Sequence, residues 1–263
     1  MRLMKSLDHA WRLLATALGF TVFGIGGLIM GLLIFPLMFV FIGDVELRKF
    51  TARRLVGRAF GAFWRMMYIL RILDYEIKGR ERIDPGRCQL IVANHPTLID
   101  VVLLISLFPR ANCVIKKAVT ENIFMRSVVR AADYISNSAP EELLESCAAY
   151  LEAGGSLILF PEGTRSQQGQ GMNFKPGAAA AAARAGVEVL PIAIECKPLF
   201  LSKELPWYYV PDERPVFKVS ILTAIPAVDQ GADLSTARQA RHELNSMIFR
   251  RICDELTSME FSD

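Results

Sequence analysis

Histidine is scarce in this chain of 263 residues, which holds only His9, His95 and His242. Its five cysteines, Cys88, Cys113, Cys147, Cys196 and Cys253, are odd in number and widely spaced. That pattern argues against a disulfide framework or a zinc site and predicts reduced residues in a cytosolic setting. No Gly-x-Ser-x-Gly elbow occurs, which speaks against a serine lipase. A Walker loop, a Rossmann glycine fingerprint and a His-Glu-x-x-His helix are also missing, so nothing points to a bound nucleotide, a redox cofactor or a metal. There is neither an internal repeat nor a disordered linker.

Charge is missing where it matters most. No charged residue falls between Leu13 and Gly43, whereas a spanning helix needs only about 20 apolar residues. A signal peptide has an apolar region of about 7–15 residues, so this run is too long to be one. The composition is 52% hydrophobic with a mean hydropathy of +0.30, high for a soluble protein. Residues 1–60 carry eight Lys/Arg against three Asp/Glu, a net of +5, which leaves −2 for the rest of a chain whose net charge is +3. A basic excess gathered at the apolar end suits anionic headgroups and not nucleic acid.

Cationic flanks stay on the cytoplasmic side. Arg2, Lys5 and Arg12 before the run, and Arg48, Lys49, Arg53, Arg54 and Arg58 after it, therefore favour a helical hairpin in one leaflet over a single tilted spanning helix. Gly24, Gly26, Gly27, Gly31 and Pro36 mark where it would bend. Over residues 53–72, Arg54, Arg58 and Arg65 project opposite Val56, Phe60, Phe63 and Met67, the pattern of an interfacial helix; Arg53 and Arg71 break it. The alternative is a helix packed on the rest of the protein.

The length suits one sizeable domain plus an appendage. We divide it into an N-terminal membrane-anchoring helical segment over 1–73 and a catalytic domain over 74–263. Strands are predicted at Tyr75–Lys78, Leu90–Ala93, Cys113–Ile115, Asp133–Ile135, Leu157–Phe160, Val187–Ile194 and Val216–Leu222. Helices are predicted at Thr97–Phe108, Asn122–Ala131, Glu141–Ala153, Pro176–Ala185 and Leu234–Leu256. This alternation predicts an α/β fold, a mixed sheet covered by helices on both faces and preceded by a membrane-embedded helical segment.

Two stretches carry chemistry. In Ile91-Val92-Ala93-Asn94-His95-Pro96-Thr97-Leu98-Ile99-Asp100 an apolar strand ends at Asn94, and Pro96 suits the first residue of a helix. That puts His95 at a strand-to-helix turn, where α/β proteins build sites. A five-residue offset within one helix would point His95 and Asp100 about 140° apart, so the two meet only if the turn lies between them. A carboxylate there would fix the imidazole tautomer and support a general base. His9 lies at the membrane edge and His242 on a charged helix, which leaves His95 as the base. The second stretch, Pro161-Glu162-Gly163-Thr164-Arg165-Ser166, follows a buried strand; Gly163 permits close backbone approach and Arg165 can grip a phosphate. Further on, Phe174-Lys175-Pro176-Gly177 opens a helix whose N-terminus favours anions.

Asn-His-Pro-Thr-Leu-Ile-Asp followed by Phe-Pro-Glu-Gly-Thr-Arg-Ser resembles the glycerolipid acyltransferase family, which makes phosphatidic acid from lysophosphatidic acid. Val189–Ile194 is similar to that family's last motif. The resemblance covers residues 75–225. It implies a one-step transfer from acyl-CoA or acyl carrier protein, with His95 as base and Asp100 orienting it. Lys116 or Lys117 together with Arg165 would hold the acceptor phosphate, and Glu162, Gly163 and Thr164 would shape the pocket. It also implies a membrane-bound enzyme, at the cell inner membrane with its catalytic domain on the cytoplasmic side. One departure stands out. Many members carry Phe-Ile-Asp-Arg where this chain reads Asp133-Tyr134-Ile135-Ser136-Asn137-Ser138, so one phosphate contact is absent. A lysophospholipid, another hydroxylated amphiphile of a specialised lipid pathway, water (as in a thioesterase), and a non-catalytic lipid binder remain as readings.

Overall fold

The computed structural model describes residues 2–137, 139–167, 171–228 and 234–260. Its first element contradicts the expected bend. Helix α1 (Arg2–Ile29) passes through one π-helical turn, Met30–Ile34, into α2 (Phe35–Phe41) without reversing. The stretch Ser6–Phe41 is long and apolar enough to cross a membrane. A continuous helix satisfies its own backbone groups in an apolar setting, which outweighs the small helix-breaking tendency of glycine. Pro36 removes one amide donor, and the π turn absorbs the irregularity, with the Phe35 N–H donating to the Met30 carbonyl five residues back.

The reversal comes later, at Ile42–Asp44, where the Asp44 carboxylate accepts from the Leu47 N–H at 2.8 Å and starts α3 (Val45–Ile69). The apolar side of α3 does not face lipid. Val56, Phe60, Trp64 and Met67 are buried against α4 (Asp100–Leu107) and its neighbours, each contributing about 1.5–3 kcal/mol. Arg53, which spoiled the expected pattern, is buried too. Its Nε donates to the Ala132 carbonyl and its Nη1 to the Tyr150 hydroxyl, both at 2.8 Å. The outward Arg54, Arg58 and Arg65 remain exposed.

Among the described residues the sheet has seven strands: β1 (Asp74–Lys78), β2 (Gln89–Ala93), β3 (Asn112–Lys116), β4 (Ile135–Asn137), β5 (Leu157–Leu159), β6 (Glu188–Lys197) and β7 (Val216–Ile221). Their order is β1-β7-β6-β2-β5-β3-β4. Five run parallel, while β7 is antiparallel to β6 and pairs in parallel with β1. The sheet is therefore mixed, as expected. The fourth strand is displaced from its expected place. Asp133 sits in the left-handed region at φ 55° and closes α6 (Arg126–Ala132), which delays β4 to Ile135. Ser138 lies outside the described residues. A five-residue helix, α5 (Lys117–Glu121), was not anticipated.

Strand β2 is buried along its whole length, so its residues serve two cores by alternation. Ile91 and Ala93 face the core shared with α1, α3, α4 and α6. Leu90 and Val92 face the core formed with α7 (Pro140–Glu152), α8 (Gly177–Ala185) and α9 (Leu234–Glu260). The small residues of α8 let it lie close to the sheet.

Candidate active site

The carboxyl ends of β2, β3, β5 and β6 converge on one edge, and the residues singled out from the sequence gather there. Asn94 leaves β2 with its side chain paired to β6: its amide donates to the Ile194 carbonyl and accepts from the Ile194 N–H, both at 2.8 Å. This buried amide, overlooked in the sequence, stops β2 at a fixed height. Pro96 does not start a helix; residues 95–99 form an open turn and α4 begins at Asp100. The turn folds back because the Asp100 carboxylate collects three donors. It accepts from the Thr97 N–H at 2.7 Å, the Thr97 hydroxyl at 2.5 Å and His95 Nδ1 at 2.9 Å. Asp100 is fully buried in the first turn of α4, where the helix dipole also favours its charge. The bond assigns the proton of neutral His95 to Nδ1, leaving Nε2 as the open nitrogen.

The second stretch grips the first through its backbone. The His95 N–H donates to Glu162 Oε1 at 2.9 Å, and the His95 carbonyl accepts from the Ser166 N–H at 2.7 Å. The Ser166 hydroxyl donates to the same Oε1 at 2.9 Å. Burial pushes the Glu162 carboxyl up, while its bonds to His95 and Ser166 pull it back in part. Phe160 lies flat against the imidazole. Neither the stacking nor the role of Ser166 had a signal in the sequence beyond proximity to the motif. Gly163 adopts φ +68°, and a Cβ there would stand 3.1 Å from Lys175 Nζ, so the position suits glycine twice over.

Four cations meet at this edge. Lys116, at the end of β3, reaches the Thr164 hydroxyl at 3.4 Å. Its pKa is lowered first by partial burial and then by Lys203, Arg165 and Lys175. Lys203 comes from the loop after β6 and was not anticipated. Lys117 opens α5 and is exposed. Arg165 is not paired with Glu162. Its Nη1 donates to the carbonyls of Leu201 and Ser202, at 3.2 and 2.7 Å, which ties it to that same loop. Asn137 lies level with Lys116 across β3 and β4, so the stretch lacking the family's arginine ends beside this group.

Beneath the turn lies an apolar cavity of about 730 Å³, within the range of ligand pockets. Leu98, Ile99 and Leu201 border it near His95; Phe20 and Phe23 of α1, Phe60 and Phe63 of α3, and Val102 and Ile105 of α4 enclose the rest.

Residues 74–195 match the family model described as Acyltransferase. The chloroplastic 1-acyl-sn-glycerol-3-phosphate acyltransferase of Arabidopsis thaliana is 28% identical over 166 residues, covering 59% of this chain and 44% of that protein. The 1-acyl-sn-glycerol-3-phosphate acyltransferase of Pseudomonas aeruginosa is 30% identical over 138 residues, covering 50% and 53%. The chain thus spans about half the length of the curated relatives it matches. The crystal structure of the 1-acyl-sn-glycerophosphate acyltransferase from Thermotoga maritima superposes with a TM-score of 0.70 at 20% identity, covering 96% of this chain and 98% of that one.

Proposed function

We propose, on the premise that residues 74–195 match the acyltransferase family model, that the protein transfers a fatty acyl group from acyl-CoA or acyl carrier protein to the hydroxyl of a lysophospholipid such as 1-acyl-sn-glycerol-3-phosphate. The observation that carries this reading is the meeting, at one sheet edge, of the His95–Asp100 pair and a group of four cations, with an apolar cavity bordered by Leu98, Ile99 and Leu201 beneath the turn. A base, an anion site and a hydrocarbon site are what a phosphorylated lipid acceptor and a fatty thioester together require.

In this mechanism His95 Nε2 removes the proton of the acceptor hydroxyl as its oxygen attacks the thioester carbonyl carbon. The C–S bond breaks and the departing thiolate takes the proton from the imidazolium. Asp100 stabilises that imidazolium, as in a serine protease triad, but with the acceptor oxygen in place of a serine. Lys116, Arg165, Lys175 and Lys203 hold the phosphate, and Glu162, Gly163 and Thr164 shape its seat. The thioester is itself activated, so the transfer calls for neither metal nor cofactor.

The same proposal covers location. Along α1, the stripe Arg12, Ala15, Thr16, Gly19, Gly27 and Met30 is buried against the catalytic half. Leu14, Leu18, Val22, Ile25 and Ile29 point outward and are exposed. A helix bound lengthwise to its own domain cannot cross a bilayer alone. Residues 32–41 hold no buried residue, and ten helical residues reach about 15 Å, half of a hydrocarbon core of about 30 Å. The helix therefore enters one leaflet, on the cytoplasmic side of the inner membrane, where the thioesters are made.

Purified protein supplied with labelled acyl-CoA or acyl carrier protein and a panel of lysolipids tests the reading. A diacyl product supports it. Free fatty acid alone would make the protein a thioesterase, and no turnover would leave a lipid binder.

A further inference from the structure

Three consecutive aromatics, Trp207, Tyr208 and Tyr209, stand on the surface of the loop between β6 and β7, at 49%, 60% and 44% exposure. They are not loosely held. The Tyr209 N–H donates to the Pro206 carbonyl at 2.9 Å, which closes a turn over residues 206–209. The rings of Trp207 and Tyr208 meet edge to face, with centroids 5.8 Å apart. Contiguous exposed apolar surface marks a place where something binds, and the neighbours of this turn say what.

Both ends of the loop are anchored. Upstream, the Leu98 N–H donates to the Leu201 carbonyl at 2.9 Å, beside the bonds from Arg165 to Leu201 and Ser202. Downstream, the buried Arg12 of α1 donates to three successive main-chain carbonyls, those of Pro211 and Asp212 at 2.8 Å and of Glu213 at 3.2 Å. Its Nε pairs with Asp8 at 2.9 Å. A buried guanidinium is stable only when its donors are met, so this joint is costly to open. Between the anchors, the Trp207 ring packs edge-on against Phe20 of α1, with centroids 5.5 Å apart. The turn and the apolar helix thus form one surface. The exposed row Leu14, Leu18, Val22, Ile25 and Ile29 runs past Phe20 and on into residues 32–41 without a charged residue.

Charge excludes other occupants. Lys203 is outnumbered on this loop by the exposed Glu204, Asp212 and Glu213, which would repel an acidic protein and add no attraction to anionic headgroups. Trp and Tyr, apolar bodies with one polar edge, collect at the headgroup level of a bilayer whatever its charge. We propose that the turn over residues 206–209 is a membrane contact in its own right, seated with Trp207 and Tyr208 in the headgroup layer beside α1. The inference extends the membrane location proposed above by a point of contact that the apolar helix alone does not require. Because the same loop supplies the carbonyls that hold Arg165, it sets that side of the active site at a fixed height above the lipid.

The test is depth-resolved quenching. The full chain is reconstituted in vesicles of zwitterionic phospholipid whose acyl chains carry bromine near the glycerol, near the chain end, or not at all. The Trp207 share of the emission is the difference between the wild type and Trp207→Phe, which keeps an aromatic ring against Phe20. Bromine near the glycerol should remove most of that share, and bromine at the chain end little of it. Added salt should change neither, because charge does not seat the turn. Leu37→Trp in the Trp207→Phe background reports separately on α2, where Leu37 is exposed. Quenching there with none at Trp207 overturns the proposal and keeps the helix in the membrane. No quenching at either position removes the membrane reading as well. A Trp207 emission that responds to protein concentration or to acyl carrier protein, and not to brominated lipid, assigns the turn to a second copy or a protein partner and also overturns the proposal.

Discussion

The imidazole of His95 stacks on the ring of Phe160, with centroids 4.3 Å apart and planes inclined by 26°. Phe160 directly follows β5, and the next turn supplies Glu162 and Ser166 to the His95 backbone. The ring is thus held from below by an aromatic face, at Nδ1 by Asp100, and along its backbone by the second motif. Orientation within a few tenths of an ångström governs general-base efficiency. The spacing of the two motifs in the chain is accordingly a consequence of two neighbouring strands, β2 and β5, ending side by side.

Removing the base should be decisive. His95→Ala is expected to lower transfer by roughly 10²-fold or more, with folding and membrane binding kept. Asp100→Asn should lose activity through the missing charge, while an amide oxygen can still accept from Thr97. Steady-state rates of both variants check this, and a His95→Ala enzyme retaining more than about a tenth of the activity would falsify the mechanism.

Under the proposed function Arg165 would have two jobs, binding the acceptor phosphate and holding the loop at Leu201 and Ser202, and kinetics can separate them. Losing its phosphate contact raises the acceptor KM, and a charge-assisted bond of about 1.5–3 kcal/mol corresponds to tenfold or more. Arg165→Ala should therefore raise the acceptor KM far more than the donor KM. It should also loosen the loop at Leu201 and Ser202, which limited proteolysis will detect. Arg165→Lys should recover only part, because a point charge cannot reproduce the fork. If only the loop changes, Arg165 is a structural clamp.

The lowered pKa of Lys116 gives a pH signature. Burial, then Lys203, Arg165 and Lys175, favour the neutral amine, so its charge is lost at lower pH than for an ordinary lysine. The acceptor KM should therefore climb on the alkaline side before the usual lysine range is reached. Lys116→Gln should flatten that limb and raise the acceptor KM at neutral pH. For stability the sign is opposite to that of a paired lysine. The folded state holds fewer protons between its lowered pKa and the unfolded value, so this group's contribution improves as pH rises through that window. KM against pH for both proteins measures the first effect, and unfolding against pH the second.

Adjacent glycines on α1 should respond in opposite directions. A Cβ on Gly26 meets nothing within 4 Å, whereas one on Gly27 collides with the Phe124 carbonyl. Gly26→Ala should stabilise by about 0.5–1 kcal/mol through helix propensity. Gly27→Ala should destabilise by about 1–3 kcal/mol as α1 is pushed off the domain. Thermal unfolding of the pair in one detergent decides; equal shifts would mean that α1 does not pack along the catalytic half.

Topology has a direct assay. With the native cysteines replaced, Lys5→Cys and Arg54→Cys should both label from the same side of sealed vesicles. Labelling from opposite faces would establish a spanning helix and refute insertion into a single leaflet.

The strand and helix alternation after Asp74, and the two motifs, were legible because each depends on neighbouring residues. A β-branched apolar run such as Leu90–Ala93 is a buried strand wherever it is placed, and residues 94–100 carry His95 and Asp100 within one turn. The glycines of α1 misled for the same local reason. Glycine permits a bend, but it also permits close approach, and only the position of Phe124 and Ser127 reveals that Gly27 and Gly31 serve the second use. Arg53 likewise looked like a fault in an interfacial helix until the Ala132 carbonyl and the Tyr150 hydroxyl, distant in sequence, appeared beside it.

The amino-acid sequence by itself thus determined the α/β class, the apolar character of the N-terminal segment and the identity of the His–Asp pair, since side-chain chemistry and short-range periodicity settle these. Tertiary structure alone decided which cations gather around Lys116, that Arg165 grips main-chain carbonyls and that Phe160 supports the imidazole. Those facts depend on the order of strands in the sheet, which brings together residues that no local rule relates.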